Sequence, residues 1–377
     1  MIYFDNSSTT KVSDDVIDKM VIMMRDEFGN PSSLHSFGFS AEKEIDKAKK
    51  TIAKIIKATD KEIFFTSGGT EANNLAILGT TSALKKSGNH IVVSKIEHPS
   101  VLEVYKKLEN SGFDVTYLDV DKRGYVNLNQ LENCISDKTI LVSVMHVNNE
   151  IGTVQDIQKI YELIKNKNKK TLFHTDCVQS FCKHQINSKY ADLITMSGHK
   201  IHGPKGVGAI FIKKGTRLEP VFIGGKQQNE IRSGTENVAG IVGFAVAAEK
   251  MYKNIDKNFE NISKVKNKLS EITKILPNVY VNGDLENGSP YVLNMSFADV
   301  RGEVLLHSLE DKEIYVSTGS ACTSNHKKHI GTVDIIGGLG ENSLRFSFTD
   351  TNTASEAETC ISQLSEIVPV LREFRQL

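Results

Sequence analysis

The feature of the 377-residue sequence that most constrains its fold is an alternation of short strand-like runs with amphipathic helical segments. The runs are rich in β-branched and aromatic residues and lie at 63–66, 91–94, 115–118, 140–147, 193–196 and 207–212. Between them, apolar residues recur at helical spacing, as at Ala41, Ile45, Ala48 and Ile52. This alternation predicts an α/β fold with a mostly parallel sheet covered by helices, whose ligands bind beyond the carboxyl ends of the strands.

The pattern changes after residue 211. A glycine-marked stretch leads into an apolar helix at 239–248 and a long amphipathic helix with apolar positions from Ile262 to Ile275. The last third then predicts a smaller α/β domain, with strands at 279–281, 292–297, 314–317 and 344–348 and helices after Val300 and Ala354. We expect a large domain over 14–254 and a small domain formed by 1–13 and 255–377.

The composition excludes several classes of protein. The 46 basic and 46 acidic residues balance, so no overall charge draws the chain to nucleic acid or to an anionic membrane. The longest apolar run, 238–248, is too short to span a bilayer, and the first residues lack the pattern of a signal peptide. Five cysteines form an odd set that favours free thiols over a disulfide framework. We therefore expect a cytoplasmic globular protein.

The segment 67–74, SGGTEANN, follows the first strand-like run and opens a helical segment. Its glycines allow close approach of the backbone to an anion, and the free N–H groups of a helix N-terminus favour phosphate. No Lys-Ser or Lys-Thr pair follows, which excludes a nucleotide-binding P-loop. The segment predicts either a phosphate site or an ordinary capped turn between strand and helix.

Three other strand-like runs end in polar side chains. Lys200 follows the run 193–196, and a lysine at the end of a buried strand suits an amine nucleophile or a Schiff base. Asp176 ends the run 172–175, where a carboxylate can pair with a protonated pyridine nitrogen. His98 follows the run 91–94 and is suited to proton transfer. Taken singly, each is as readily a surface lysine, a helix cap or a structural histidine.

A further segment, STGSACTS at 317–324, surrounds Cys322 with small residues. Such a setting is typical of a loop that carries a nucleophile into a cleft. His326 and His329 complete a Cys-x3-His-x2-His pattern that can supply half of a metal site. No compact set of further ligands accompanies it, so the thiol nucleophile is favoured and we expect no metal.

Together these segments identify a family. The chain resembles the class V, fold-type I pyridoxal phosphate enzymes, and among them the NifS/IscS-type cysteine desulfurases. The segments that carry the likeness also include YFDNSSTT (3–10), FGNPSS (28–33), MHVNNEIG (145–152), RSGT (232–235) and NGD (282–284). The resemblance covers nearly the whole chain and implies the fold-type I transferase fold, with the cysteine loop on the small domain.

The resemblance also implies roles for individual residues. Lys200 is expected to hold pyridoxal 5'-phosphate as a Schiff base, Asp176 to pair with its ring nitrogen, and His98 to stack on the ring and assist proton transfer. Arg345 is expected to bind the carboxylate of L-cysteine, and Cys322 to attack the substrate sulfur and become a persulfide. The remaining implied contacts are Asn149 and Gln179 near the phenolic oxygen or the substrate, and Gly69, Thr70, Ser197 and His199 at the phosphate, with Thr235 contributed across a homodimer.

Other functions on this fold stay open at this point. The alternative enzyme is a selenocysteine lyase. The alternative that is not an enzyme is a sulfur carrier or scaffold that lacks catalytic activity. The acceptor of the sulfur is an iron–sulfur scaffold, a tRNA-thiolation enzyme or another carrier. The segment 325–329 departs from the usual family sequence after the catalytic cysteine, and the two cysteines flanking Gln179, Cys177 and Cys182, have no assigned role.

Overall fold

The computed structural model describes residues 1–318 and 331–374. The strands in these ranges are β1 (Ile2–Tyr3), β2 (Ile63–Thr66), β3 (His90–Ser94), β4 (Asp114–Leu118), β5 (Thr139–Ser143), β6 (Leu172–Asp176), β7 (Leu193–Ser197), β8 (Gly208–Ile212), β9 (Val279–Asn282), β10 (Val292–Phe297), β11 (Ile314–Tyr315) and β12 (Ser343–Ser347). The helices are α1 (Asp14–Arg25), α2 (Ser36–Ile55), α3 (Gly69–Leu84), α4 (Pro99–Asn110), α5 (Leu128–Cys134), α6 (Ile157–Lys167), α7 (Val238–Lys253), α8 (Ile255–Ser270), α9 (Ile272–Ile275), α10 (Gly302–Glu310), α11 (Thr332–Ile335) and α12 (Ala354–Phe374).

A seven-stranded sheet in the order β2-β8-β7-β6-β5-β3-β4 forms the centre of the larger part of the fold. Only β8 runs antiparallel to its neighbours; the other neighbouring pairs in this sheet are parallel. The carboxyl ends of β2, β3, β6 and β7 therefore lie at one edge of the sheet. The mostly parallel sheet expected from the alternating pattern is confirmed.

Several predicted element boundaries differ from the structure. The predicted strand at 140–147 ends at Ser143, although Val144 N and His146 N still donate to His174 O and Asp176 O at 3.2 and 3.0 Å. The predicted long helix through Ile275 is broken at Glu271 into α8 and the short α9.

A second sheet lies in the last third of the chain, as expected; its strands are antiparallel and in the order β12-β10-β9. The strand predicted at 314–317 is shorter, because only Ile314–Tyr315 pairs with β1. Ser317 instead exchanges two backbone hydrogen bonds with Arg345, which ties this segment to β12.

Separate apolar cores stabilise the two sheets. Two clusters of buried side chains cover the faces of the large sheet, and they include Val16 and Met251. Another cluster covers the small sheet and includes Phe4, whose ring meets that of Phe348 edge-on at 5.1 Å between centroids. Full burial of each such side chain contributes about 1.5–3 kcal/mol. Within the described ranges, no helix combines the length and apolarity needed to cross a membrane.

Candidate active site

A cleft of about 350 Å³ opens at the carboxyl edge of the large sheet. It is bounded by the strand ends, by residues near the N-terminus and by β12 of the small sheet. The sequence-predicted residues that line it are Gly69, Thr70, His98, Asn149, Asp176, Gln179, Ser197, His199, Lys200 and Arg345. Residues distant in sequence thus share one cavity, as ligand sites of open α/β sheets do.

Lys200 reaches the cleft from a single 3₁₀ turn, Gly198–Lys200, that directly follows the fully buried β7. Its Nζ donates to the backbone carbonyls of Ser7 and Ser8 at 2.6 and 2.7 Å. These two contacts hold the amine against the N-terminal segment. Sequence reasoning did not assign Ser7 or Ser8, since a backbone carbonyl leaves no signature in residue type, although both lie within the YFDNSSTT segment.

Asp176 is the last residue of β6 and is 5% exposed. Its Oδ1 accepts from Val178 N at 2.8 Å, and its Oδ2 accepts from Asn73 Nδ2 at 2.8 Å. The residues after Asp176 form turns and no α-helix, so the helix-cap alternative is wrong. The carboxylate is held by donors on both oxygens while lining the cleft.

His98 is the N-cap of α4, and its Nδ1 accepts from Ser100 N at 3.1 Å. Burial lowers the pKa of His98; the carboxylate of Asp176 opposes this shift and the amine of Lys200 adds to it. The lowered pKa favours the neutral ring, which can accept or donate a proton.

Another part of the cleft lining comes from the N-terminus of α3, at Gly69 and Thr70. Gly68 precedes the helix with a φ of 157°, and a Cβ on Gly69 would lie 2.8 Å from Val178 Cγ2. Ser197 Oγ is buried without a hydrogen-bond partner among the described residues. His199 is neutral, because burial lowers its pKa to about 4. Backbone N–H groups and an unpaired hydroxyl at a helix N-terminus are typical of a phosphate site.

Arg345 enters the cleft from β12, and its side chain is 8% exposed. Its Nη1 donates to Asn149 O at 3.1 Å, while Nη2 donates to Ser8 Oγ at 2.7 Å and to Asp5 Oδ1 at 2.9 Å. Its Nε has no partner among the described residues. The guanidinium therefore retains donor capacity for an incoming carboxylate.

Glu150 lines the cleft near Arg345, and sequence reasoning had not assigned it a role. Its Oε2 accepts from Thr332 N at 3.2 Å, and burial raises the pKa of the carboxyl group. Its position inside the MHVNNEIG segment was the only sequence signal available.

Two predicted residues are not in the cleft as described. Thr235 is exposed and lines a separate pocket of about 100 Å³, together with Ser67 and Gly206. Cys322 lies outside the described residues, as do His326 and His329. Within 1–318 and 331–374, no group of three His, Cys, Asp or Glu side chains is arranged to hold a metal ion.

Cys177 and Cys182, to which the sequence assigns no role, do not line the cleft. Both side chains are 1% exposed in the core of the large sheet. Burial raises the pKa of Cys177 to about 12 and that of Cys182 well above its ordinary value. The four described cysteines, Cys134, Cys177, Cys182 and Cys360, are free thiols.

Comparison with known proteins agrees with the motifs. The sequence profile of class-V aminotransferases matches residues 2–359. A cysteine desulfurase IscS from Dictyoglomus turgidum is 41% identical over 377 residues, which cover 98% of this chain and 95% of the relative. A putative cysteine desulfurase IscS 1 from Bacillus subtilis is 42% identical over 375 residues, covering 97% and 98%.

A solved structure of a NifS-like protein superposes on the chain with a TM-score of 0.92 at 36% identity, covering 98% of this chain and 99% of the other. The family and fold expected from the sequence motifs are confirmed. The chain belongs to the class-V aminotransferase family, among its IscS/NifS-like cysteine desulfurases.

Proposed function

We propose that the chain is a pyridoxal 5'-phosphate-dependent cysteine desulfurase that converts L-cysteine to L-alanine and retains the sulfur as a persulfide on Cys322. The observation that carries the proposal is that Lys200, Asp176 and Arg345 line one cavity in a chain related over its whole length to cysteine desulfurases. An amine, a carboxylate and a carboxylate-binding guanidinium are the side chains that this reaction needs.

The residues of the cleft fit the cofactor. Ser197 Oγ and Gln179 Oε1 are buried polar atoms without partners among the described residues, and both residues line the cavity. Buried polar groups are rarely left unpaired, so a polar ligand between them accounts for both. We infer that Lys200 holds the cofactor covalently, that Asp176 faces its ring nitrogen and that His98 stacks on the ring. The phosphate ligands inferred are Gly69, Thr70, Ser197 and His199.

Each side chain of the cleft then has its own role in the proposed reaction. Bound pyridoxal phosphate supplies an electron sink for charge that develops on the substrate. Arg345 binds the carboxylate of L-cysteine, and Asn149 and Gln179 orient the substrate beside it. The amine of Lys200 and the ring of His98 exchange protons with the substrate.

Sulfur transfer requires a different nucleophile. A thiolate attacks sulfur more readily than a hard nitrogen base does, which assigns the attack to Cys322. An S–S bond forms between Cys322 and the substrate sulfur, the C–S bond of the substrate breaks, and the carbon takes up a proton. One thiol and one L-cysteine become one persulfide and one L-alanine, with no outside oxidant.

We also propose a homodimer in which Thr235 completes the phosphate site of the partner subunit. Two observations support it: Thr235 is exposed outside the cleft of its own chain, and large apolar side chains are exposed in two segments of the chain, 28–39 and 222–223. These side chains, called the exposed apolar set below, are Phe28, Leu34, Phe37, Phe39, Phe222 and Ile223. Exposed apolar residues in such number are typical of an interface.

The two-domain division at 14–254, with 1–13 and 255–377 as the small domain, is likewise a proposal. Its support is that Phe4 packs in the core of the small sheet, whereas Val16 packs in the core of the large one. We further propose that the enzyme works in the cytoplasm, where free thiols persist, and passes its sulfur to an acceptor of iron–sulfur cluster assembly or tRNA thiolation.

The test is product analysis on the purified full chain. We expect L-cysteine with a thiol reductant to give alanine and sulfide in equal amounts, and borohydride to fix the cofactor to the protein. Lys200→Ala should lose both properties, while Lys189→Ala, a lysine outside the cleft, should keep them. Borohydride fixation on Lys200→Ala would contradict the assignment of that lysine.

The same assay separates the rival functions. Turnover of L-selenocysteine without sulfide from L-cysteine would replace the proposal with a selenocysteine lyase. A chain that neither binds the cofactor nor turns over either amino acid would instead be a carrier or scaffold.

A further inference from the structure

Asp176 ends β6 and His98 lies after β3, yet side chains from two helices connect them. Asn73 lies in the second turn of α3 and is 1% exposed. Its Nδ2 donates to Asp176 Oδ2 at 2.8 Å and to Ser100 Oγ at 2.8 Å. Ser100 Oγ lies 2.8 Å from His98 Nδ1, which also accepts from the backbone N–H of Ser100 at 3.1 Å.

The direction of these hydrogen bonds follows from their ends. A carboxylate only accepts, so the nitrogen of the Asn73 amide must face Asp176. Since that amide also donates to Ser100 Oγ, the hydroxyl proton of Ser100 is left to point at His98 Nδ1. Nδ1 then accepts from a hydroxyl and from a backbone N–H, which leaves no position for a proton of its own. The neutral ring carries its proton on Nε2.

The orientation of the Asn73 amide lowers the stability of the folded chain. Its Oδ1 is buried and has no partner among the described residues. A buried unpaired oxygen destabilises the folded state, and an apolar side chain would pack α3 against the sheet without that penalty. The asparagine is therefore better explained by what its nitrogen holds than by packing alone.

We propose that Asn73 and Ser100 are positioning residues that fix His98 as the tautomer protonated on Nε2 and couple that choice to the carboxylate of Asp176. The consequence for chemistry rests on the proposed function, in which His98 moves protons beside the cofactor. With the chain of hydrogen bonds in place, His98 presents one defined donor to the cleft, and protonation of Nδ1 is opposed by two donors.

Other charged groups also act on His98, and the test must hold them constant. Asp176, at the end of β6, favours the protonated ring, while Lys200, after β7, disfavours it. Glu97 precedes His98 in the chain and is fully buried; burial raises the pKa of Glu97 to about 8. Neither substitution changes a charge, but Asn73 also donates to Asp176 Oδ2, so Asn73→Leu removes that contact while Ser100→Ala keeps it.

The experiment is nitrogen NMR of the full chain labelled with ¹⁵N in its histidine rings, recorded without added cofactor and repeated with it. His98→Gln assigns the signal by its loss. The wild type should show a pyridine-like Nδ1 and a pyrrole-like Nε2. Ser100→Ala removes the hydroxyl that donates to His98 Nδ1, and Asn73→Leu removes the amide that orients this hydroxyl. In both variants the pH midpoint of His98 protonation should therefore rise by about 0.5 to 1 unit.

Two controls are matched to these variants. Ser100→Thr keeps the hydroxyl and should restore the wild-type midpoint. Asn74→Leu alters the next residue of α3, whose Nδ2 donates to Thr70 O on the helix, and should leave His98 unchanged. If Asn73→Leu does not fold, the Ser100→Ala and Ser100→Thr pair still decides the outcome.

A wild-type His98 protonated on Nδ1 would overturn the proposal, as would equal midpoints in Ser100→Ala, Asn73→Leu and Asn74→Leu. Because the measurement is made on the free chain, it stands even if no desulfurase activity is found. Conversely, if the enzyme is an active desulfurase but the pH midpoint of His98 is the same in both variants as in the wild type, only the role of Asn73 and Ser100 is refuted.

Discussion

Arg345 Nη2 lies 2.9 Å from Asp5 Oδ1, so the arginine expected to bind the substrate carboxylate already pairs with a carboxylate of its own chain. The side chains are 8% and 21% exposed, and Ser8 Oγ donates to the same Asp5 oxygen at 2.7 Å. An incoming L-cysteine must therefore bring a second negative charge to a guanidinium that is partly neutralised. Under the proposed function, Asp5 would both position Arg345 and compete with the substrate carboxylate.

Replacing Asp5 by Asn tests this competition. Asn keeps the shape of the side chain but removes its charge, so we expect KM for L-cysteine to fall roughly fivefold, since relief of one repulsion at partial exposure is worth ~1 kcal/mol. The change in kcat should be smaller. Steady-state kinetics with Arg345→Lys as the opposite control, for which KM should rise, provide the measurement. A higher KM in Asp5→Asn would show that positioning outweighs competition.

Buried histidines predict how stability depends on pH. Burial lowers the pKa of His174 to about 3 and that of His146 to about 4, from an ordinary value of 6.5. Below pH 6.5 these two histidines are therefore protonated in the unfolded chain but remain unprotonated in the folded chain. Stability is present above this pH and is lost as pH falls toward 4, by about 1.4 kcal/mol per pH unit for each such histidine.

Urea unfolding between pH 4.5 and 7.5 measures this slope. His174 Nδ1 and Nε2 contact Ser143 Oγ at 3.0 Å and Thr195 Oγ1 at 3.1 Å, so His174→Asn keeps polar groups in the site while removing the titration. Its slope should be shallower than that of the wild type. His307→Asn, at an exposed position in α10, should retain the wild-type slope. Equal slopes in all three proteins would exclude His174 as a source.

The exposed apolar set predicts the oligomeric state. Leu34 is fully exposed and Ile223 is 90% exposed, so each is available to a second copy of the chain. We expect the wild type to be a dimer by light scattering at micromolar concentration, and Leu34→Asp combined with Ile223→Asp to shift it toward monomer. Val304→Asp, at an exposed position in α10, serves as the control. A fully active wild-type monomer would refute the shared phosphate site.

The sequence was most informative where chemistry is local. Lys200 and Asp176 each follow a recognisable strand, and a parallel sheet brings such strand ends to one edge, so their meeting could be predicted. Ser7 and Ser8, by contrast, lie 193 and 192 residues before Lys200 in the chain and contact it through backbone carbonyls. Nothing in residue type announces such a contact.

Asn73 shows the same limit from another side. Its place in a glycine-rich segment indicated a phosphate loop, and only the packing of α3 against β6 and α4 gives its amide two acceptors. The predictions of where strands and helices end failed for a related reason. Hydrophobic residues continue through 144–147 and on both sides of Glu271, whereas β5 ends at Ser143 and α8 at Ser270, so the hydrophobic pattern alone does not mark these ends.

Persulfide formation is the prediction that distinguishes a desulfurase from other enzymes with this fold. The surroundings of the other four cysteines support its assignment to Cys322. Cys360 is fully buried, like Cys177 and Cys182, and burial raises the pKa of all three. Cys134 lies half-buried in α5, outside the cleft, and burial raises its pKa as well. A thiolate is needed to attack sulfur, so none of these four is suited to the reaction.

Cys322→Ala should accordingly still bind the cofactor and L-cysteine, which the visible absorption of the bound cofactor reports, yet release almost no sulfide. Turnover of selenocysteine should persist, because selenium leaves more readily than sulfur. Mass spectrometry of the wild type after exposure to L-cysteine should find one added sulfur on the peptide that holds Cys322. Cys134→Ala is the matched control and should retain full activity. An added sulfur on Cys177 or Cys182, together with a fully active Cys322→Ala, would overturn the mechanism, because it would require a thiol outside the cleft to reach the substrate.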